Sequence, residues 1–145
     1  MIAVDTNLLI YTHRVESEFH GPARDLIDAL RHQAAAWSIP WPCIHEFLAI
    51  ATHPGIFKPA SSLAQALAFL ESLFASPQLN LLAESPGYFE KLRALLIGAR
   101  IKGPKIHDAR VAALCLHHGV SELWSADRDL SAFPQIKVRN PLVQT

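Results

Sequence analysis

The sequence predicts an α/β fold in which helices cover both faces of a central, mostly parallel sheet. Short apolar runs alternate along the chain with longer segments whose apolar residues recur at helical spacing, and this alternation is typical of parallel strands joined by helices. Half of the 145 residues are hydrophobic, which is enough to bury a core without disulfides or a structural metal. Proline and glycine are scattered rather than gathered in a linker, so we expect residues 1–145 to form a single domain.

The first half of the chain contains two predicted strand–helix units. Residues 2–4 form a short apolar run with β-branched side chains, and the polar residues 5–7 that follow can cap a helix. Residues 23–34 have apolar side chains on one helical face and charged side chains on the other. Residues 36–39 are the second strand candidate, and the helix that follows it ends at the His-Pro-Gly sequence of residues 53–55.

The second half continues the alternation of strands and helices. We predict helices over residues 61–75, 88–99 and 106–118, and strands over residues 79–82 and 122–125. In sheets of this kind, ligands bind at the carboxyl ends of the strands. The functional site is therefore expected at that edge of the sheet.

Composition and charge narrow the class of protein. Thirteen Lys and Arg residues balance thirteen Asp and Glu residues, which excludes a generally basic nucleic-acid-binding surface. Cys43 and Cys115 lie in apolar, helical-looking stretches, and this favours reduced, buried thiols. No secretion signal is visible in the first residues, and residues 59–70, the longest uncharged apolar-rich stretch, are too few to cross a bilayer. We therefore expect a soluble, cytoplasmic protein with no membrane partner.

Acidic residues follow the predicted strands or lie in the first turns of neighbouring helices. Asp5 ends the first strand, Glu46 and Asp108 lie one turn into helices, and Asp127 and Asp129 follow the last strand. Carboxylates gathered at one sheet edge repel one another and raise each other's pKa unless a cation neutralises them. Oxygen ligands without His or Cys at a zinc-like spacing favour Mg²⁺ or Mn²⁺.

Each of these acids also has an ordinary structural explanation. Asp5 is a good helix N-cap, Glu46 could be a solvated helical residue, and Asp108 complements a helix dipole. Asp127 and Asp129 could simply form a turn. Only the joint pattern of the five acids points to a metal site.

Four motifs, in order along the chain, resemble the PIN domain. They are residues 4–7 (Val-Asp-Thr-Asn), Glu46-Phe47 with residues 51–54 (Ala-Thr-His-Pro), residues 108–113 (Asp-Ala-Arg-Val-Ala-Ala) and residues 125–130 (Ser-Ala-Asp-Arg-Asp-Leu). The resemblance is greatest to the VapC-type ribonuclease toxins of toxin–antitoxin pairs. It covers nearly the whole chain, including the tail through Leu142.

The resemblance implies a three-layer α/β/α fold and a Mg²⁺- or Mn²⁺-dependent endoribonuclease that cleaves single-stranded or loop RNA. Asn7 and Ser125 would orient the acidic side chains through hydrogen bonds, and Asp129 would assist from a less constant family position. Ser125 stands where the family usually has Thr. Water activated at the metal would attack the phosphodiester in line, without a covalent intermediate. The catalytic and metal-binding residues on matching positions are Asp5, Glu46, Asp108 and Asp127.

Basic residues near these acids could guide the RNA backbone, although a solvated run of charges is the alternative. The resemblance also implies a homodimer and a cognate VapB-type antitoxin whose C-terminal segment would block the acidic groove. The apolar helices of residues 44–52 and 63–74 are candidate contact surfaces, with core burial as the alternative. The basic residues concerned are Arg100, Lys102, Lys105, Arg110 and Arg128.

Other functions fit the residues less well. A haloacid-dehalogenase-like phosphatase needs a second acid two residues after Asp5, where this chain has Asn7. A receiver domain needs a Lys at the end of a late strand, where this chain has Arg128. The remaining alternative is a non-catalytic PIN-like RNA-binding or regulatory module, against which the complete acidic set argues.

Overall fold

The computed structural model describes residues 1–143 and contains a sheet of five strands. The strands are β1 (Ile2–Val4), β2 (Trp37–Pro40), β3 (Leu79–Leu82), β4 (Glu122–Trp124) and β5 (Val138–Arg139). Their order across the sheet is β3-β2-β1-β4-β5, and every neighbouring pair is parallel. The predicted α/β fold with a parallel sheet is confirmed.

Six helices connect the strands, and each predicted helix is present to within a few residues. The second helix begins at His20, earlier than predicted, because a proline such as Pro22 is tolerated in the first helical turn. No helix within residues 1–143 is long and apolar enough to cross a membrane. The helices are α1 (Thr6–His13), α2 (His20–His32), α3 (Trp41–Ala51), α4 (Leu63–Phe74), α5 (Tyr88–Gly98) and α6 (Ile106–His117), with short 3-10 turns at Gly103–Lys105 and Arg128–Ala132.

The chain changes direction across the sheet at β1, which lies between β2 and β4. The first two crossovers lead from β1 to β2 and on to β3, whereas the third returns past β1 to β4. Because such crossovers are right-handed, the two sets of helices lie on opposite faces of the sheet. In agreement with this, α1 packs against α2 and α3, and α5 packs against α6. The reversal opens a crevice at the carboxyl ends of β1 and β4, where open α/β sheets bind their ligands.

The core fills the space between the sheet and the helices. Ala3 and Val4 of β1 are fully buried, as is Trp37 of β2, whose indole Nε1 donates a hydrogen bond to Ser76 Oγ at 3.1 Å. Free Cys115 lies in the core, as does Cys43, in accordance with the prediction of buried thiols. Burial raises the pKa of the Cys115 thiol to about 12, so this thiol stays protonated.

The last strand, β5, was not predicted from the sequence. It consists only of Val138 and Arg139, which pair with Leu123 and Trp124 of β4. Two residues are too few to form an alternating pattern, so only their pairing with β4 identifies them as a strand. β5 forms one edge of the sheet, beside the strand that leads into Asp127.

Candidate functional site

Asp5 lies at the carboxyl end of β1, where it is also the N-cap of α1. Its Oδ1 accepts hydrogen bonds from the backbone N of Thr6 at 2.8 Å and from Cys43 Sγ at 3.4 Å. Its Oδ2 accepts one from Ser125 Oγ at 2.7 Å. Asp5 is 8% exposed. Capping and site formation therefore use the same carboxylate, and its orientation is fixed by donors from three elements.

A small polar network joins the ends of β1 and β4. Asn7 Nδ2 donates to Ser125 Oγ at 3.2 Å, and Asn7 Oδ1 accepts from the backbone N of Ala126 at 3.1 Å. Ser125 Oγ also accepts from the backbone N of Asp127 at 2.9 Å. Through these hydrogen bonds, Asn7 and Ser125 fix the position of Asp5 relative to the start of the loop that carries Asp127.

A cavity of about 240 Å³ opens beside this network. All four of the predicted catalytic carboxylates line it: Asp5 from β1, Glu46 from α3, Asp108 from α6 and Asp127 from the loop after β4. The apolar part of the wall consists of Ile10, Tyr11, Ile50, Val111 and Leu130. The acids, which are spread over more than a hundred residues of sequence, therefore meet at the expected edge of the sheet.

Asp129 also belongs to this acidic group. One carboxylate oxygen from each of Asp108, Asp127 and Asp129 lies within 4.8 Å of the others. Asp127 Oδ1 accepts a hydrogen bond from the backbone N of Asp129 at 2.9 Å and so caps the 3-10 turn of Arg128–Ala132. Asp129 is exposed, but its carboxylate is as near to Asp108 and Asp127 as a shared cation requires.

Burial, and after it the negative charge of neighbouring carboxylates, raises the pKa of two of the acids. Loss of hydration raises the pKa of Glu46, and the negative charge of Asp5 raises it further. Loss of hydration also raises the pKa of Asp108, followed in importance by the charges of Asp127 and Asp129. Both groups would be more stable in their ionised form if a cation occupied the cavity. The site is therefore electrostatically incomplete with protein groups alone.

The predicted basic residues are placed less uniformly than the acids. Arg110 pairs with Glu84 at 3.1 Å, so its charge is already compensated. Arg128 lines a neighbouring cavity of about 440 Å³ that shares Asp127 with the acidic one. Within residues 1–143, four of the five predicted basic residues form no ion pair. Three of these four lie in the exposed segment before α6. The three loop residues are Arg100, Lys102 and Lys105.

His107, which was not among the residues predicted for the site, borders the acidic cavity. His107 is exposed and directly precedes Asp108 at the start of α6. A positive charge on its imidazole opposes the rise in the pKa of Asp108. The signal that could have found it is its position beside an acidic candidate in the first turn of a helix. A charged imidazole there could contact a phosphate group.

Comparison with known proteins agrees with this geometry. The family model of the PIN domain matches residues 2–136. Ribonuclease VapC31 of Mycobacterium tuberculosis is 32% identical over 143 residues, which cover 98% of this chain and 100% of that protein.

Solved structures share the fold at lower sequence identity. The crystal structure of Mycobacterium tuberculosis VapC20, a sarcin–ricin loop cleaving toxin, matches with a TM-score of 0.67 at 16% identity, over 91% of this chain and 94% of that one. VapBC2 from Rickettsia felis, bound to a DNA fragment from their promoter, matches with a TM-score of 0.67 at 15% identity, over 96% and 98%. The family model, the relative and the fold agree, and the chain belongs to the PIN-domain family.

Proposed function

We propose that this protein is a Mg²⁺- or Mn²⁺-dependent endoribonuclease that cleaves single-stranded or loop RNA. The observation that carries the proposal is the convergence of Asp5, Glu46, Asp108 and Asp127 on one cavity from four separate elements. A relative over nearly the full length of the chain is a ribonuclease. The related fold of VapC20, a sarcin–ricin loop cleaving toxin, supports a loop substrate.

The donor set of the cavity suits a hard divalent cation. The four predicted ligands offer only carboxylate oxygens, which Mg²⁺ and Mn²⁺ prefer. Asp129 is near enough to Asp108 and Asp127 to serve as a further ligand of the cation or to accept a hydrogen bond from a water bound to it. When bound, the cation would supply activation of water and screening of the phosphate charge. The raised pKa values of Glu46 and Asp108 support a cation at this position.

The chain's own residues supply orientation and proton transfer. Ser125 and Asn7 keep the Asp5 carboxylate turned toward the cavity, as outer hydrogen-bond partners of metal ligands do. A carboxylate that lines the cavity would take the proton of the attacking water, because a general base must lie within hydrogen-bond reach of the proton that it removes.

The proposed reaction is tested by incubating the purified protein with an end-labelled single-stranded RNA. We expect cleavage with Mg²⁺ or Mn²⁺, none with EDTA, and a large loss in Asp5→Asn and Asp108→Asn. Undiminished cleavage in both variants would eliminate the acidic set. Sequencing of RNA ends after induced expression, with Asp5→Asn as the control, would then identify the cellular target.

A non-catalytic RNA-binding module is the alternative function. Such a module would bind RNA without cutting it, and its thermal stability would not respond to Mn²⁺. A rise in melting temperature on addition of Mn²⁺, abolished by Asp108→Asn, is the expected result for the nuclease.

We further propose that the protein acts in the cytoplasm as the toxin of a VapBC-type pair, where its two free thiols would stay reduced. The matching fold of VapBC2 supports a VapB-type partner. Of the two candidate contact helices, α3 faces the core with Ile44, Phe47 and Ala51. By contrast, α4 exposes Leu63 and Phe74 at 60% and 39%.

The exposed apolar side chains make α4 the better candidate for a homodimer or antitoxin contact, since such patches mark interaction sites. Leu67 lies on the same helix and is also exposed. Light scattering should report a dimer, and a co-expressed antitoxin should inhibit cleavage. A monomeric chain that no antitoxin inhibits would refute the partner proposal.

A further inference from the structure

The hydroxyl of Thr6 is buried and has no hydrogen-bond partner. Thr6 is 3% exposed, and its Oγ1 is the one buried side-chain nitrogen or oxygen atom within residues 1–143 that has no partner. Thr12 and Thr52, by contrast, donate to the backbone oxygens of Leu8 and Leu48 at 2.8 Å and 2.7 Å. An unpaired buried hydroxyl destabilises a fold, so it calls for an explanation.

The position of Thr6 explains why the usual solution is not available. A helical threonine commonly donates to the carbonyl four residues earlier, as Thr12 and Thr52 do. Thr6 is the first residue of α1, so the residue four positions earlier, Ile2, lies in β1. The backbone oxygen of Ile2 already accepts from Ser38 Oγ at 3.1 Å. No carbonyl of a preceding helical turn is present for the hydroxyl.

Glu46 is the complementary unpaired group in the same cavity. Both side chains line the cavity, and the helices that carry them, α1 and α3, pack against each other. No protein donor within residues 1–143 bonds to the Glu46 carboxylate. The Asp5 oxygens, in contrast, already accept hydrogen bonds from four other residues. The Thr6 hydroxyl and the Glu46 carboxylate therefore share one cavity, and neither has a hydrogen-bond partner within residues 1–143.

We propose that Thr6 is a positioning residue whose hydroxyl donates to the Glu46 carboxylate and fixes the orientation in which Glu46 takes up a divalent cation. This inference rests on the proposed function, because it assigns Glu46 to the metal. An O–H···O⁻ bond to an ionised carboxylate is charge-assisted and short. This hydrogen bond would orient the Glu46 carboxylate, as the hydrogen bond from Ser125 orients the carboxylate of Asp5.

The test compares Thr6→Val with Thr6→Ser by thermal unfolding in EDTA and during titration with MnCl₂. Valine keeps the shape of threonine but removes the hydroxyl, whereas serine retains the hydroxyl. We expect Thr6→Val to be at least as stable as the wild type in EDTA, because an unpaired buried hydroxyl is removed. We expect its apparent Mn²⁺ affinity to be about 10- to 100-fold weaker, and that of Thr6→Ser to be close to wild type.

Two further variants serve as controls. Thr12→Val removes a paired hydroxyl of the same helix and should leave Mn²⁺ affinity unchanged. In a Glu46→Gln background, Thr6→Val should cause little further loss of affinity, because the charged acceptor is already gone.

The possible outcomes separate this inference from the proposed function. A wild type that responds to Mn²⁺, together with a Thr6→Val variant of equal affinity, would overturn the role of Thr6 alone. A Thr6→Val variant that is clearly less stable in EDTA would also overturn it, since the hydroxyl would then be structural. If the wild type itself shows no Mn²⁺ response, the metal site and the role of Thr6 fail together.

Discussion

The two sides of the acidic cavity are built differently. On the β1 side, the buried carboxylate of Asp5 accepts hydrogen bonds from a backbone amide, a side-chain amide, a hydroxyl and a thiol. On the α6 side, the carboxylates of Asp108, Asp127 and Asp129 face one another within 4.8 Å. Within residues 1–143, the only donor to these three is the backbone N of Asp129.

This difference separates two ways of preparing a metal ligand. Asp5 is oriented in advance, so its position does not depend on the cation. Asp108 and its neighbours repel one another, and a bound cation would offset this electrostatic repulsion. The first side is expected to fix where the metal sits, and the second to determine how strongly its binding stabilises the fold.

The largest expected effect is the loss of activity when the oriented side is changed. Asp5→Asn should reduce RNA cleavage on the order of 10³-fold, the scale for removing a group that stabilises transition-state charge. Asp129→Asn should cost only about 10-fold, because Asp129 supports its neighbours from an exposed position. The measurement is the cleavage rate at saturating Mn²⁺, with circular dichroism to show that both variants fold. Equal losses in the two variants would remove the distinction between the two sides.

The next largest effect concerns stability on the oriented side. Ser125→Ala removes the donor to Asp5 and the acceptor used by Asn7 and by the backbone of Asp127. Unfolding by urea should show a loss of about 1–3 kcal/mol, the usual result of leaving buried polar groups unpaired. Ser125→Thr, which keeps the hydroxyl, is the matched control and should retain most of the stability. An alanine variant as stable as the wild type would mean that water replaces the hydroxyl.

A smaller effect concerns pH and the repelling side. Burial and neighbouring carboxylates raise the pKa of Asp108 above its ordinary 3.8, so the folded protein binds this proton more tightly than the unfolded chain does. In EDTA, the contribution of Asp108 to stability should therefore fall as the pH rises from 3.8 through the raised pKa.

Asp108→Asn removes this titration. Its stability relative to the wild type should increase across the same pH window and level off above it. The gain should stay below about 1 kcal/mol, because water screens the repulsion at this partly exposed residue. Denaturant unfolding between about pH 4 and 8 measures the difference. With saturating Mn²⁺ the wild type should be more stable than Asp108→Asn, because only the wild type then gains the full free energy of metal binding. A pH-independent difference would contradict the assignment of repulsion to Asp108.

The smallest effect concerns the cations around the cavity. Lys102 and Lys105 form no ion pair within residues 1–143, whereas Lys137 pairs with Glu122 at 3.1 Å at the amino edge of the sheet. Changing Lys102 and Lys105 together to Ala should weaken binding of single-stranded RNA and reduce the slope of log K against log salt by up to about 1.4. Lys137→Ala should leave the slope unchanged. The same slope in both variants would exclude the loop from the RNA path.

The sequence could predict the sheet and the convergence of the acids because both depend on local patterns. Residues 2–4 and 79–82 are short apolar runs between turn signals, and the structure has strands over both. Asp5 directly follows the first of these runs, and Asp127 lies two residues after the predicted strand of residues 122–125, so their shared edge follows from parallel pairing.

The rest of the site depends on three-dimensional distances that no local pattern encodes. The nearness of Asp129 to Asp108 depends on how α6 and the turn after β4 approach each other. The unpaired hydroxyl of Thr6 depends on the residue at which α1 begins, and helix ends are the least certain part of any reading of a sequence. The ion pair that occupies Arg110 joins α6 to a loop that follows β3, some 26 residues earlier.

The hydrogen bond between Ser125 and Asp5 joins residues that are 120 positions apart. During translation, therefore, a nascent chain has the first acid of the cavity long before it has the strand that orients that acid. Until β4 has left the ribosome and paired with β1, the acids cannot assemble. A nuclease built on this topology would stay inert until β4 has paired with β1.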